Sequence, residues 1–235
     1  MLKLGSEIIK RVAGIGNSNF RHSFSQCGED MIVDYIFKAI GVEKPGYIDI
    51  GAYHPENLSN TAYFYYRGSS GINIEPDPLS FPEFVRKRKR DINLNVGVGE
   101  AEAVLDFYCM SAGSLNTFSK EEAERLSAKY GYSIRKKIPV FVRTLQDIID
   151  KESCGVFPDF LTIDIEGLDE SVLRQIDYEH CCPKVICVET VSFEEDGSGK
   201  KNVDLIDFLK QNGYMVFADT YINSIFVKES LWLRK

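Results

Sequence analysis

The chain has 235 residues, of which 44% are hydrophobic and 27% charged, a composition typical of one soluble globular domain. Its formal net charge of −7 argues against a nucleic-acid-binding protein, which carries a basic surplus to meet phosphates. No apolar run reaches the roughly 18 residues of a membrane span, and the N-terminus lacks the apolar core of a secretory signal. We therefore expect a cytoplasmic protein without a transmembrane segment, with its six cysteines reduced.

Residues 1–24 are predicted to form an N-terminal arm, and residues 25–235 a single domain. The first helix is predicted over residues 31–40, where apolar side chains recur at helical spacing. Further helices are predicted at 57–66, 78–90, 121–129, 145–149, 170–176 and 203–211. Apolar strands are predicted at 46–50, 71–74, 92–98, 104–109, 138–142, 160–165 and 185–189, followed by an antiparallel pair at 215–218 and 224–227.

This alternation of strands and helices predicts an α/β fold with a mostly parallel sheet and helices on both faces. A closing antiparallel hairpin distinguishes the pattern from a symmetric dinucleotide-binding domain. The sequence therefore predicts a Rossmann-like, seven-stranded sheet with an antiparallel C-terminal hairpin.

Acidic and small residues follow the predicted strands, where ligands bind in sheets of this kind. The carboxylate of Glu75 is placed to accept hydrogen bonds from two ribose hydroxyls, and Gly97 with Val98 offers a slim wall for a flat base. Gly51 permits close approach of the backbone to a ligand. The residues in question are, strand by strand, Asp49, Gly51, Ala52 and His54; Glu75 and Pro76; Gly97 and Val98; Asp164 and Glu166; and Glu189.

The interval from Gly51 to Glu75 is close to the roughly 20 residues expected between a glycine turn and a ribose-binding acid. The loop nevertheless lacks the G-x-G-x-x-G that a dinucleotide pyrophosphate requires, since Gly51 is followed by Ala-Tyr-His-Pro-Glu. S-adenosylmethionine has no phosphate, so the pattern favours this methyl donor over NAD. A nicotinamide-dependent oxidoreductase and a non-catalytic cofactor-binding module of the same fold remain alternatives.

The sequence resembles the FkbM-type methyltransferases over about residues 25–228. The motifs that carry the resemblance are Ser25-Gln26-Cys27-Gly28-Glu29-Asp30, Ile48-Asp49-Ile50-Gly51-Ala52, Ser59-Asn60-Thr61, Ile74-Glu75-Pro76, Thr144-Leu145 and Asp164-Ile165-Glu166-Gly167. The resemblance implies a class I fold and methyl transfer from S-adenosylmethionine to a hydroxyl oxygen. It implies acceptors such as sugars of polysaccharides, lipids or natural products, and it favours Gln26, Glu29 and Asp30 as pocket residues. The loop departs from the commoner glycine-rich form by carrying His54-Pro55.

An alcohol acceptor needs a base or a metal to take its proton. His54, Asp164 and Glu166 are the predicted catalytic residues, with Glu189 a further acid at the same sheet edge. Histidine titrates nearest to neutrality, which favours His54 as the base. Asp164 and Glu166 alternatively form a Mg²⁺ site, since this cation prefers oxygen ligands. Both acids also have a purely structural interpretation at a helix N-terminus.

Three other features are assigned structural roles. The basic run 86–90 is predicted to be a solvated helix face, with phosphate binding the alternative. His180, Cys181, Cys182 and Cys187 lack the paired spacing of a zinc site. Asn223 is predicted to be a turn residue, with contact to the acceptor the alternative.

Overall fold

The computed structural model describes residues 21–165, 167–192, 194 and 197–233. The predicted arm lies almost entirely outside these residues, and so does Glu166. No helix in the described part of the chain is long and apolar enough to cross a membrane.

The strands are, in chain order, β1 (Tyr47–Ile50), β2 (Gly71–Ile74), β3 (Ile92–Leu94), β4 (Gly97–Val98), β5 (Ala103–Met110), β6 (Ile134–Arg143), β7 (Phe160–Ile163), β8 (Val185–Glu189), β9 (Tyr214–Asp219) and β10 (Asn223–Lys228). The helices are α1 (Glu29–Ala39), α2 (Ala62–Tyr66), α3 (Phe81–Lys87), α4 (Lys120–Tyr130), α5 (Leu145–Glu152), α6 (Asp169–Leu173), α7 (Val203–Gln211) and α8 (Glu229–Trp232).

Seven strands form the main sheet in the order β3-β2-β1-β7-β8-β10-β9. The pairs among β1, β2, β3, β7 and β8 are parallel, whereas β10 is antiparallel to both β8 and β9. The predicted seven-stranded, mostly parallel sheet with an antiparallel C-terminal hairpin is therefore confirmed.

Two apolar cores cover the two faces of this sheet. Successive side chains of a strand point to opposite faces, and in β1 Tyr47 belongs to one core while Ile48 belongs to the other. The core with Tyr47 receives buried residues of α1 and α2, and the core with Ile48 receives those of α5, α6 and α7. Helices thus pack on both faces, as predicted.

The prediction of a single strand over residues 92–98 is wrong. The third sheet strand ends at Leu94, and the side-chain amide of Asn95 donates to the carbonyls of Glu75 (2.8 Å) and Pro76 (3.1 Å). The side chain of Asn95 thus takes the place of a backbone N–H as the donor to these carbonyls beyond the end of β2. The backbone hydrogen bonds between β2 and β3 end there, and the chain leaves the main sheet. Gly97 and Val98 consequently form a strand of a different sheet.

This second sheet contains three strands in the order β4-β6-β5. Residues 111–133 connect β5 to β6 through a 3₁₀ turn, Gly113–Leu115, and α4. Ser119 begins α4 by accepting a hydrogen bond from the N–H of Glu122. Ala123 and Leu126 of α4 pack against Met110 and Leu115, so the connection has a small core of its own.

The basic run 86–90 is not a solvated face throughout, because Arg88 is completely buried. Its guanidinium donates to Asp91 (2.8 Å), to the Tyr47 hydroxyl (2.9 Å) and to the carbonyl of Pro55 (2.9 Å). A buried arginine requires such partners. Arg88 therefore ties the chain after α3 to β1 and to the loop that follows β1.

Candidate active site

A cavity of about 370 Å³ lies at the carboxyl edge of the main sheet, where β1, β2, β7 and β8 end. This is the edge at which ligands bind in open α/β sheets. The predicted site residues that line it are Gln26, Asp49, Gly51, Ala52, Glu75, Pro76, Asp164 and Glu189.

Gly51 brings the ends of two neighbouring strands together. Its φ is +76°, and a Cβ there would lie 1.9 Å from the carbonyl oxygen of Asp164. The residue must therefore be glycine both for its backbone conformation and for space. The close approach that the structure shows at Gly51 is to the chain after β7, whereas the sequence predicted one to a ligand.

Glu75 is buried at the end of β2 with both carboxylate oxygens oriented. One accepts a hydrogen bond from the N–H of Tyr53 (2.6 Å), and the other accepts one from the N–H of Asp77 (2.7 Å). Each carboxylate oxygen keeps a further lone pair. Burial raises the pKa of Glu75 to about 7. The carboxylate is held rigidly at the cavity wall and can accept further bonds.

Asp49 is anchored from behind. Its carboxylate accepts a hydrogen bond from the hydroxyl of Thr61 (2.7 Å), which in turn accepts one from Arg88 (3.0 Å). Burial raises the pKa of Asp49 to about 6. The chain Arg88–Thr61–Asp49 fixes this acid without placing a cation in the cavity wall.

Asp164 differs from these two acids, because its carboxylate has no hydrogen-bond partner among the described residues. Its side-chain surface is open to the cavity. The surrounding protein shields it from bulk water, and together with the charges of Asp169 and Asp49 this raises its pKa to about 7. Asp169 holds the same loop by accepting bonds from the N–H groups of Ile165 (3.2 Å) and Gly167 (3.3 Å).

The lining of the cavity is acidic. Among the described residues that line it there is no lysine, arginine or histidine, whereas the carboxylates there are Asp49, Glu75, Asp164, Glu189 and Glu194. Such a wall favours a cationic ligand and disfavours phosphates.

The structure does not bring His54, Gly97 or Val98 into the described lining. The Nδ1 atom of His54 accepts hydrogen bonds from the N–H groups of Glu56 (3.1 Å) and Asn57 (2.8 Å), so the ring closes its own loop. Partial burial and the charge of Lys87 lower its pKa. Gly97 instead lies behind the cavity, where a Cβ would be 2.5 Å from the ring of Phe118.

Glu29 and Asp30 hold the N-terminal loop in place rather than lining the cavity. Glu29 is buried and accepts hydrogen bonds from Thr220 (2.8 Å), from the side chain of Asn223 (3.0 Å) and from the N–H of Cys27 (2.8 Å). Asn223, the first residue of β10, lines the cavity. The Glu29 carboxylate therefore joins two segments of the cavity wall, one with Gln26 and one with Asn223.

Several lining residues, Leu58 and Tyr221 among them, were not predicted, whereas Tyr53 was expected at this edge because it follows the first strand. Tyr53, Leu58 and Tyr221 have φ values of 54°, 58° and 78°, which non-glycine residues rarely adopt. Backbone strain of this kind concentrates at functional sites. Nothing in the sequence marks these conformations. Residues 113–118, between β5 and β6, also line the cavity.

No group of three or more His, Cys, Asp or Glu side chains in the described residues could hold a metal ion. The described residues thus offer no support for the predicted Mg²⁺ site. Its second ligand, Glu166, lies outside them.

The model of the family described as Methyltransferase FkbM domain matches residues 49–216. The matched region runs from the end of β1 into β9 and includes the carboxyl ends of β1, β2, β7 and β8, which line the cavity. The chain belongs to the FkbM methyltransferase family. It is a methyltransferase of the S-adenosylmethionine-dependent class.

No curated protein matches the methyltransferase. Among solved structures, it is similar to a TehB-like SAM-dependent methyltransferase from Corynebacterium glutamicum, with 11% identity, a TM-score of 0.43, and coverage of 96% of this chain and 97% of that one. It is also similar to an O-methyltransferase from Bacillus cereus in complex with SAH, with 14% identity, a TM-score of 0.39, and coverage of 94% and 88%. A likeness this distant carries no conclusion about the substrate.

Proposed function

We propose that the methyltransferase transfers the methyl group of S-adenosylmethionine to a hydroxyl oxygen of a sugar in a polysaccharide, glycolipid or natural product. The observation that carries the proposal is the cavity at the strand ends, lined by acids and, among its described residues, by no basic side chain. S-adenosylmethionine has a cationic sulfur, a cationic amine and one carboxylate, so its net charge suits this wall.

The donor side of the cavity is assigned to the residues after β1 and β2. Glu75 accepts hydrogen bonds from the ribose hydroxyls, because its orientation is fixed by two backbone N–H groups. Asp49 attracts the amine of the methionyl group. Gln26, Gly51, Ala52 and Pro76 complete the donor wall.

When bound, S-adenosylmethionine supplies an electrophilic methyl group on a positively charged sulfur. The residues of the chain must then align the acceptor and accept its proton. We assign the proton to Asp164, whose carboxylate is open to the cavity and whose pKa of about 7 suits a base at neutral pH. His54 is less well placed, since its Nδ1 atom accepts two hydrogen bonds from the backbone of its own loop.

The sugar acceptor is supported by the family resemblance and by the aromatic residues of the cavity, Tyr53, Phe107, Phe118 and Tyr221. Aromatic rings pack against the apolar C–H faces of sugar rings, while the polar residues among them serve the hydroxyls.

Two measurements test the proposal. Isothermal titration with S-adenosylmethionine should show one site per chain, and NADH should show no fluorescence enhancement. Incubation of cell extracts and glycoside panels with ¹³C-methyl donor should give products whose label resists mild base, as a methyl ether does and a methyl ester does not. Absence of donor binding by folded protein would refute the proposal. Donor binding without transfer to any acceptor would favour the non-catalytic alternative.

A further inference from the structure

We propose that Asp164 and Glu189 make the methyltransferase selective for acceptor sugars that carry no phosphate or carboxylate on the sugar unit that is methylated. This inference rests on the proposed function, since it describes the acceptor of the same cavity.

The two acids are placed by the ends of β7 and β8. Asp164 lies one residue beyond β7, and Glu189 is the last residue of β8, paired in register with Asn223 of β10. Glu194, five residues further along, also lines the cavity, but Arg125 and Lys129 of α4 balance its charge. The side of the cavity where the proposed base lies is therefore acidic.

The basic side chains nearest to this wall already have acidic partners. Arg125 and Lys129 of α4 both pair with Glu194, and Arg125 also pairs with Glu122 at 2.6 Å. Lys201 pairs with Asp219 at 2.8 Å. Binding an anion in the cavity would require one of these ion pairs to break, because the described lining itself contains no cation.

A charged acceptor would also meet the ionised base. Asp164 accepts a proton only as a carboxylate, and a second anion about 5 Å away would be repelled. At an effective dielectric constant of about 20, typical for groups near a protein surface, this repulsion lowers kcat/KM on the order of 100-fold. An uncharged sugar avoids the repulsion and still offers hydroxyls to the carboxylates.

The selectivity should be confined to the methylated sugar unit. A second cavity of about 400 Å³ shares Glu189, Val191, Ser192 and Glu194 with the first, and its lining includes Arg125 and Lys200. A more distant part of a long acceptor would meet this mixed surface. An anionic group on a neighbouring unit is therefore expected to matter less.

A panel of matched glycosides tests the inference. Methyl glycosides of neutral hexoses and deoxyhexoses, the corresponding uronic acids and the 6-phosphates are incubated with ¹³C-methyl donor, and products are quantified by mass spectrometry. Transfer is expected to neutral members, with kcat/KM about 100-fold lower for their anionic counterparts. Comparable use of a uronic acid or a phosphate would overturn the inference, and so would failure to methylate any neutral member.

Titration with S-adenosylmethionine separates this failure from that of the proposed function. If the donor binds and only anionic sugars are methylated, the selectivity is wrong while the function stands. If the donor does not bind, both are wrong.

A pair of charge variants assigns the effect to the wall. Glu189→Gln should raise the ratio of kcat/KM for anionic to neutral acceptors about tenfold, because it removes one of the repelling charges. Glu43→Gln makes the same change at an exposed residue before β1, at the opposite edge of the sheet, and should leave the ratio unchanged. The ratio is the readout because a purely structural loss would lower both rates together. Equal ratios in Glu189→Gln and the wild type would contradict the assignment.

Discussion

The cavity has two walls of different origin. The strand-end wall, made of Asp49, Gly51, Ala52, Glu75 and Asp164, lies at the edge of the main sheet, and the sheet's own hydrogen bonds fix its backbone. The insert wall, residues 113–118, comes from the connection between β5 and β6 in the second sheet.

The side chain of Asn116 connects the two walls. The amide of Asn116 donates to Asp77 (3.1 Å), and its oxygen accepts a hydrogen bond from the N–H of Met110 (2.8 Å). Asp77 directly follows the donor-side residues Glu75 and Pro76. The comparison therefore indicates that the strand-end wall, the proposed donor side, is built into the sheet, while the insert wall is a separate structure held against it.

The largest expected effect is that of replacing Asp164, the acid of the strand-end wall whose carboxylate has no hydrogen-bond partner among the described residues. Asp164→Asn should lower kcat by about 10²–10⁴-fold, because the amide cannot accept the acceptor proton. The dissociation constant of S-adenosylmethionine should change by less than about threefold. Single-turnover kinetics and isothermal titration measure the two quantities. Asp150→Asn, an exposed change on α5, is the control, and wild-type turnover in Asp164→Asn would exclude this residue as the base.

The pH dependence of the same residue gives a second readout. Asp164 has a pKa raised to about 7, so wild-type kcat/KM should fall as the pH is lowered through 7, where the base becomes protonated. A raised pKa also means that ionisation destabilises the folded state increasingly from the ordinary pKa of 3.8 up to about 7. Asp164→Asn should therefore raise Tm at pH 8, by less than the loss of a fully buried charge would, because the side chain is exposed in the open cavity. A lower Tm would contradict this.

The next effect concerns donor binding. Glu75→Gln should raise the dissociation constant of S-adenosylmethionine about 10–100-fold, because the amide N–H₂ replaces one charged acceptor and faces a backbone N–H. Isothermal titration measures this change. Glu83→Gln, on the outer surface of α3 beside Arg86, is the matched control. If donor affinity stays the same, Glu75 does not hold the ribose.

A smaller effect is expected when the insert wall is loosened. Asn116→Ala removes both hydrogen bonds of the Asn116 side chain, including the one to Asp77, and should raise the acceptor KM about three- to tenfold. Donor affinity should remain within about twofold, since the strand-end wall is untouched. Asn212→Ala, which removes a side-chain hydrogen bond at the end of α7, should not change KM. An equal loss of donor affinity in Asn116→Ala would show that the walls are not independent.

The smallest effect on turnover is expected at His54. His54→Ala should keep kcat within about twofold, while the free energy of unfolding falls by about 1 kcal/mol through the loss of two hydrogen bonds to the loop backbone. Urea denaturation and initial rates test the two parts. A kcat lowered by a hundredfold with unchanged folding would return His54 to the catalytic residues.

The sequence predicted those parts of the molecule that depend on local periodicity. The strands at 71–74 and 185–189 and the helix at 203–211 were predicted with the observed bounds, because apolar runs and helical spacing are local signals. Glu75 and Gly51 were found for a similar reason, since the carboxyl ends of parallel strands meet at one sheet edge.

Only the tertiary structure decided the remainder. Asn95 turns the chain out of the main sheet through bonds to residues 75 and 76, and no pattern within residues 92–98 indicates that partner. The sequence does not distinguish His54 from Asp164, because both are polar residues near the carboxyl end of a predicted strand. One closes its own loop and the other is open to the cavity, because burial and hydrogen bonding depend on segments far apart in the chain. The sequence by itself thus determined the sheet and the carboxyl edge at which the cavity lies, and the packing of distant segments determined which acid is open to that cavity.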